Sequence, residues 1–237
     1  LTPDMTGQRH RKKGKPASKH SFSWLGVPLT TGPDVIGALV VQSYSDSLSY
    51  TAQDQALLQF VSSQVAAAVE RKRTHSRLEY LAQHDPLTKL PNRALFLDRL
   101  HSSLARARRD SIRLAVLYLD MDNFKQINDT FGHSTGDQLL REVADRLTQC
   151  VRESDTVGRL GGDEFAVLLD GISRHEDAAT VAEKILVALS SPYNLEGATL
   201  VSAPSVGIAV YPDHGEDDAQ LVRHADGAMY AAKRSGG

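Results

Sequence analysis

Between Thr51 and His84 the chain contains neither proline nor glycine, and no other feature limits its fold as firmly. The stretch reads as one helix of unusual length. Helix breakers are absent, and Leu57, Leu58, Val61, Val65, Ala68 and Val69 recur at three- and four-residue steps as an apolar stripe. The stripe stops at "ERKRTHSR", Glu70 to Arg77, and resumes at Leu78, Leu81 and Ala82. A helix that is polar in its middle and apolar toward its ends suits a connector between two modules, and it can pair with its own copy in a dimer. Asp85-Pro86 marks its end. The 237 residues therefore divide into a first region, 1–50, the connecting helix, 51–84, and a larger domain, 85–237.

The first region holds two apolar segments in "WLGVPLTTGPDVIGALVVQSY", Trp24 to Tyr44, which read as strands joined by a Thr-Gly-Pro-Asp turn. Before them lies a basic tract with Arg9, Arg11, Lys12, Lys13, Lys15 and Lys19 against Asp4. No aromatic residues interleave with these charges, so the tract reads as a solvated loop, and no nucleic-acid partner is expected. No apolar run is long enough to span a membrane and no secretion signal opens the chain, which leads us to expect a cytoplasmic location. Cys150, the single cysteine, excludes an internal disulfide and reads as a core residue.

In the larger domain the pattern predicts a helix from Asn92 to Arg109 and a strand from Ile112 to Asp120. A helix follows from about Asp137, with Leu140, Val143, Ala144, Leu147 and Val151 on one face, and then a hairpin, Thr156–Leu160 with Phe165–Leu169. Next come a helix from Glu176 to Leu189, strands at Tyr193–Glu196 and Leu200–Val210, and a last helix from Asp218 to Ser235. Helices that alternate with strands, some joined directly as hairpins, argue for an α+β fold in which helices flank one mixed or antiparallel sheet.

The hairpin turn, "GRLGGDEF", places Gly161 and Gly162 before Asp163 and Glu164. The glycines allow positive φ and close approach of a phosphate, while the acids sit at the tip of a stiff ribbon. Asp120 ends the strand that begins at Ile112. If that strand lies beside the hairpin, three carboxylates meet at one sheet edge, a hard-oxygen set suited to Mg2+ or Mn2+ and to phosphoryl or nucleotidyl transfer. Lys125 and Lys233 can neutralise a triphosphate, and Asn128 and Asp137 have the acceptors that select guanine. Each of these four also has a plainer explanation: surface lysines, a capping Asn, and an N-cap Asp after Gly136.

Taken together, "HDPLTKLPNR", "LDMDNFKQINDTFGHSTGD", "GRLGGDEFAVLL", "SVGIAVYP" and "ADGAMYAAKRSG" resemble the GGDEF family of diguanylate cyclases, over roughly Tyr80 to the end. The resemblance implies a fold like the polymerase palm and the adenylyl cyclase catalytic domain, and the condensation of two GTP into cyclic di-GMP and two pyrophosphates. It implies metal ligation by Asp120, the Met121 carbonyl, Asp163 and Glu164, with an acid of the hairpin assisting deprotonation of the 3′-hydroxyl. It assigns guanine to Asn128 and Asp137, phosphates to Lys125 and Lys233, and a substrate cradle to Gly161 and Gly162. A homodimer is implied, since each subunit binds one GTP. Arg152 and Asp155, five residues before the glycines, resemble the family's inhibitory site for cyclic di-GMP, with Arg159 as a weaker additional contact. Residues 21–75 resemble the C-terminal half of a GAF sensory domain.

The sequence departs from the family pattern at three places. Lys89 stands where Gly is usual, a change we expect to be tolerated. The chain ends Gly236-Gly237 where the family continues to Gly-Arg-Asn. Pro204 removes a strand donor and implies a bulge or an edge position. Two other readings use the same residues: a degenerate GGDEF domain that regulates by binding GTP, and a dimeric cyclic di-GMP receptor without chemistry.

Overall fold

The computed structural model describes residues 23–45, 49–195 and 198–235. The basic tract, Glu196 and the closing Gly236-Gly237 lie outside these. The chain forms two compact units, Leu1–Glu79 and Tyr80–Gly237.

In the first unit β1 (Ser23–Thr31) and β2 (Asp34–Ser43) pair antiparallel, and Gly32 takes φ +57° at the turn between them. Helix α1 spans Ala52–Gln83. Its first half lies on β1, where the Ser62 hydroxyl donates to the Pro28 carbonyl at 2.5 Å and Ala66 is buried with Leu25 and Val27. The apolar stripe therefore splits. Ser62 and Ala66 turn inward, whereas Leu57, Phe60 and Val61 remain exposed.

The second unit is a four-stranded sheet with helices on both faces, built from β3 (Arg113–Met121), β4 (Thr156–Gly161), β5 (Glu164–Ile172) and β8 (Pro204–Tyr211). Their order is β4-β5-β3-β8, and every pairing is antiparallel. β3 is buried along almost its whole length, so both of its faces are apolar. Leu114, Val116 and Tyr118 face α2 (Arg93–Asp110) and α6 (Asp218–Arg234). Ala115, Leu117, Leu119 and Met121 face α4 (His133–Cys150) and α5 (His175–Ser190). Glycines let two helices approach the sheet closely. A Cβ on Gly207 would lie 2.8 Å from the Met229 Cα of α6, and one on Gly158 would lie 2.9 Å from the Phe96 Cδ2 of α2.

Most expected elements are present, with three corrections. "FKQINDTF" forms a short helix, α3 (Phe124–Phe131), and α4 begins at His133, so Asp137 lies inside a helix and does not cap one. The segment expected as one strand over Leu200–Val210 breaks in two, because residues 201–203 separate β7 (Ala198–Leu200) from β8. β7 pairs with β6 (Tyr193–Leu195) in a separate two-stranded ribbon, so the second unit has two sheets where one was expected. Pro204 is the first residue of β8, an edge strand, and no register shift interrupts the pairing of β8 with β3. Both features suit a residue without an N–H.

Candidate active site

The pairing of β3 with β5 sets Asp120 opposite Glu164, and the Met121 amide donates to the Asp163 carbonyl at 3.4 Å. The central strand and the glycine turn thus end side by side. Gly161, with φ +153°, closes β4, and Gly162 and Asp163 form the turn, where Gly162 at φ +51° takes a left-handed conformation that side chains disfavour. Met121 is buried in the core, so only its backbone can face a ligand.

Two contacts organise the carboxylates. Lys233 reaches from α6 to pair with Asp120. The Tyr118 hydroxyl donates to Glu164 Oε2 at 2.9 Å. Burial, and next the charge of Asp120, push the Asp163 carboxyl above its ordinary value. The hydrogen bond to Asp120 raises Lys233. Burial and then the Glu164 carboxylate drive the Tyr118 phenol up.

Among the described residues, no group of three or more His, Cys, Asp or Glu side chains gathers closely enough to hold a metal ion by itself. The sequence led us to expect three converging carboxylates. They occupy adjoining positions, but Asp120 leans toward Lys233 and Glu164 toward Tyr118. This donor chemistry still fits a hard divalent cation of the magnesium type, which keeps several waters and takes only one or two carboxylates plus substrate phosphates. The register pairing of Asp120 with Glu164, with Asp163 in the adjoining turn, sets these oxygens along one edge for such a cation, which would offset both the burial of Asp163 and the charge of Asp120 beside it.

The base-recognition candidates lie on the neighbouring helices. Asn128, half-buried on α3, sits directly over Gly136 of α4, where an added Cβ would lie 2.9 Å from its Cγ. Asp137 follows Gly136 and is exposed, as is Lys125 on α3. Close packing of α3 on α4 therefore sets Asn128 over the residue that precedes Asp137.

Arg152 and Asp155 lie in the turn that joins α4 to β4. Asp155 accepts from the Arg152 amide at 3.0 Å and from the Asp170 amide at 3.2 Å, while the Arg152 side chain is exposed. Arg159 lies on β4 just before the glycines. Its Nε and Nη2 donate to the Gly162 carbonyl at 3.0 and 2.7 Å, and its Nη1 donates to Asp85 at 2.9 Å. Its side chain is 12% exposed and braces the glycine turn. Although burial opposes it, donors from Thr88 and Arg159 hold the Asp85 carboxyl below its ordinary value.

Sequence reasoning passed over Tyr118, Gly136 and Asp122. Tyr118 could have been found by parity, because it stands two residues before Asp120 and so shares its face. Asp122 accepts from the Ser205 hydroxyl at 2.9 Å and ties the end of β3 to β8. Nothing in its motif separates it from Asp120.

The family "Diguanylate cyclase, GGDEF domain" matches residues 82–237, and a GAF domain family matches residues 1–70. The bifunctional diguanylate cyclase/cyclic di-GMP phosphodiesterase MucR of Pseudomonas aeruginosa is 47% identical over 169 residues, 71% of this chain and 24% of its own length. The structure of a delta-N mutant of TpbB from the same organism, comprising only the GGDEF domain, is 47% identical, with a TM-score of 0.63, covering 64% of this chain and 89% of that one. The coiled coil and GGDEF domain of DgcB from Caulobacter crescentus, in complex with c-di-GMP, is 31% identical with a TM-score of 0.66, covering 78% of this chain and 96% of that one. The chain spans only 24% and 37% of the lengths of the curated relatives MucR and TpbB. With its glycine turn set beside the end of the central strand, and an α+β fold shared with solved GGDEF domains, this chain belongs to the GGDEF domain family, preceded by a GAF-type region.

Proposed function

We propose that the chain is a diguanylate cyclase that condenses two GTP into cyclic di-GMP and two pyrophosphates. The observation that carries this reading is the sheet edge itself, where Asp120 and Glu164 are register partners, Asp163 occupies the turn between β4 and β5, and Lys233 bridges from α6. The reaction needs a 3′-hydroxyl of one nucleotide to attack the α-phosphorus of another. The new O–P bond forms as the bond to the β-phosphate oxygen breaks, pyrophosphate leaves, and the hydroxyl proton passes to a base. Two such steps close the ring.

Asp120, the Met121 carbonyl, Asp163 and Glu164 would hold Mg2+ or Mn2+, which when bound supplies positive charge to the triphosphate and lowers the pKa of the attacking hydroxyl. An acid of the hairpin, Asp163 or Glu164, accepts the proton. Lys125 and Lys233 bind phosphates, and the backbone of Gly161 and Gly162 lets the triphosphate approach. Asn128 and Asp137 select guanine, whose N1–H and N2–H2 donors adenine does not present.

One nucleotide per subunit requires two subunits facing each other, so the active form is a homodimer. The exposed Leu57, Phe60 and Val61 on α1 support self-association. Residues 1–50 act as a partial sensory region, 51–84 as a signalling helix and 85–237 as the catalytic domain, working in the cytoplasm where GTP is available. The exposed Arg152, beside an Asp155 fixed by two amides, forms the product site for feedback inhibition.

Incubation with GTP and Mg2+, followed by separation of nucleotides, tests the reading. Cyclic di-GMP is expected. Bound but unreacted GTP would favour a degenerate regulator, and binding of the cyclic dinucleotide alone would favour a receptor.

A further inference from the structure

Tyr118 has no part in the proposed reaction so far, and its contact with Glu164 gives it one. It lies on β3 two residues before Asp120, so both side chains emerge on the face covered by α2 and α6. Its partner across the sheet is Ala166, a small residue next to which the ring can lean along β5 toward Glu164. Diagonal neighbours on one face of an antiparallel pair are within reach of an aromatic side chain. The ring is 4% exposed, and its hydroxyl donates to Glu164 Oε2 at 2.9 Å.

We propose that Tyr118 is a positioning residue, which fixes the Glu164 carboxylate so that one oxygen is held from behind and the other is presented to the cation and substrate. This rests on the cyclase reading of the same edge. A glutamate has three side-chain torsions, and at a sheet edge a carboxylate without an anchor samples several of them. A phenol buried among Phe96, Leu100, Ala225 and Met229 of the same core is a rigid donor. It also separates the roles of the paired acids. Glu164 is tied back to the inner face, while Asp163 is left at the rim beside Asp120. Groups of this kind, bonded to a ligand but not to the metal, change metal affinity or activity by about 10–100-fold when removed.

The test is the Tyr118→Phe variant, which keeps the ring and removes only the hydroxyl. Mn2+ binding is followed by electron paramagnetic resonance, with 3′-deoxy-GTP, which cannot react, holding the nucleotide site. Affinity for Mn2+ is expected to fall about tenfold, with little change in melting temperature. In a Glu164→Ala background the same substitution should have no further effect, because the two residues act as one unit. Equal Mn2+ affinity in Tyr118→Phe and the parent protein would overturn the role of Tyr118 and leave the cyclase reading standing. So would an equal loss in both backgrounds. A parent protein that binds neither Mn2+ nor the nucleotide would overturn the reading of the site itself.

Discussion

At the scale of single residues, the site depends on a few small or bent positions that free the functional side chains. Gly136 is one, because any Cβ there would displace the Asn128 amide. Gly136→Ala should weaken GTP about tenfold, the loss of one good hydrogen-bonding group, and leave ATP binding unchanged. Competition binding with both nucleotides checks this, and equal losses would argue against a role for Asn128 in base selection. Lys89 is the opposite case, a side chain at φ +64° in the turn after α1. Lys89→Gly should stabilise the protein by about 1 kcal/mol in urea unfolding. Lys233 contributes through its pair with Asp120. Because its folded pKa is raised above 10.5, its stabilisation is fully present below that value and is lost as pH rises through the folded pKa. The stability difference between the parent and Lys233→Met should therefore shrink toward strongly alkaline pH, whereas a constant difference would contradict the pairing. Asp163, Glu164 and Asp120 were legible in the sequence as a group of acids. Their individual settings were not, since the partners that orient them, Lys233 and Tyr118, are fixed only when α6 and the sheet face come together.

Among the elements, helix positions follow from the glycines beneath them. α6 lies on β8 at Gly207, and through that contact it carries Lys233 to Asp120. Gly207→Ala would push α6 away from the sheet. It should cost about 1–3 kcal/mol and reduce turnover beyond what the stability loss explains, by moving Lys233. Thermal melts and initial rates of the same preparation separate the two effects. The long helices, the central strand and the hairpin were legible because each carries a clear apolar period over many residues. α3 was not, since its eight residues, Phe124–Phe131, are too few to show a period. The start of α4 was hidden by "GHSTG", whose composition reads as a loop. That segment is helical because Thr135 and Gly136 are buried, and α3 packs directly over Gly136. The break at residues 201–203 was also concealed, because apolar residues recur on both sides of it from Leu200 to Val210, although Pro204 marked where the sheet resumes.

For the molecule as a whole, the division at Glu79 and Tyr80 separates a unit with few buried side chains among its described residues from one with two extensive cores. A chain starting at Tyr80 should accordingly unfold as a single cooperative transition in calorimetry, with its GTP site retained, and loss of folding on truncation would contradict that independence. The central claim is that the edge formed by β3 and the glycine turn performs nucleotidyl transfer. Phosphorus NMR of the protein with GTP and Mg2+, run beside Asp163→Asn, tests it most directly. The account predicts that cyclic di-GMP and pyrophosphate appear together in the parent and that the variant is slower by at least about a hundredfold. Unchanged GTP in the parent, or equal product from Asp163→Asn, would contradict it.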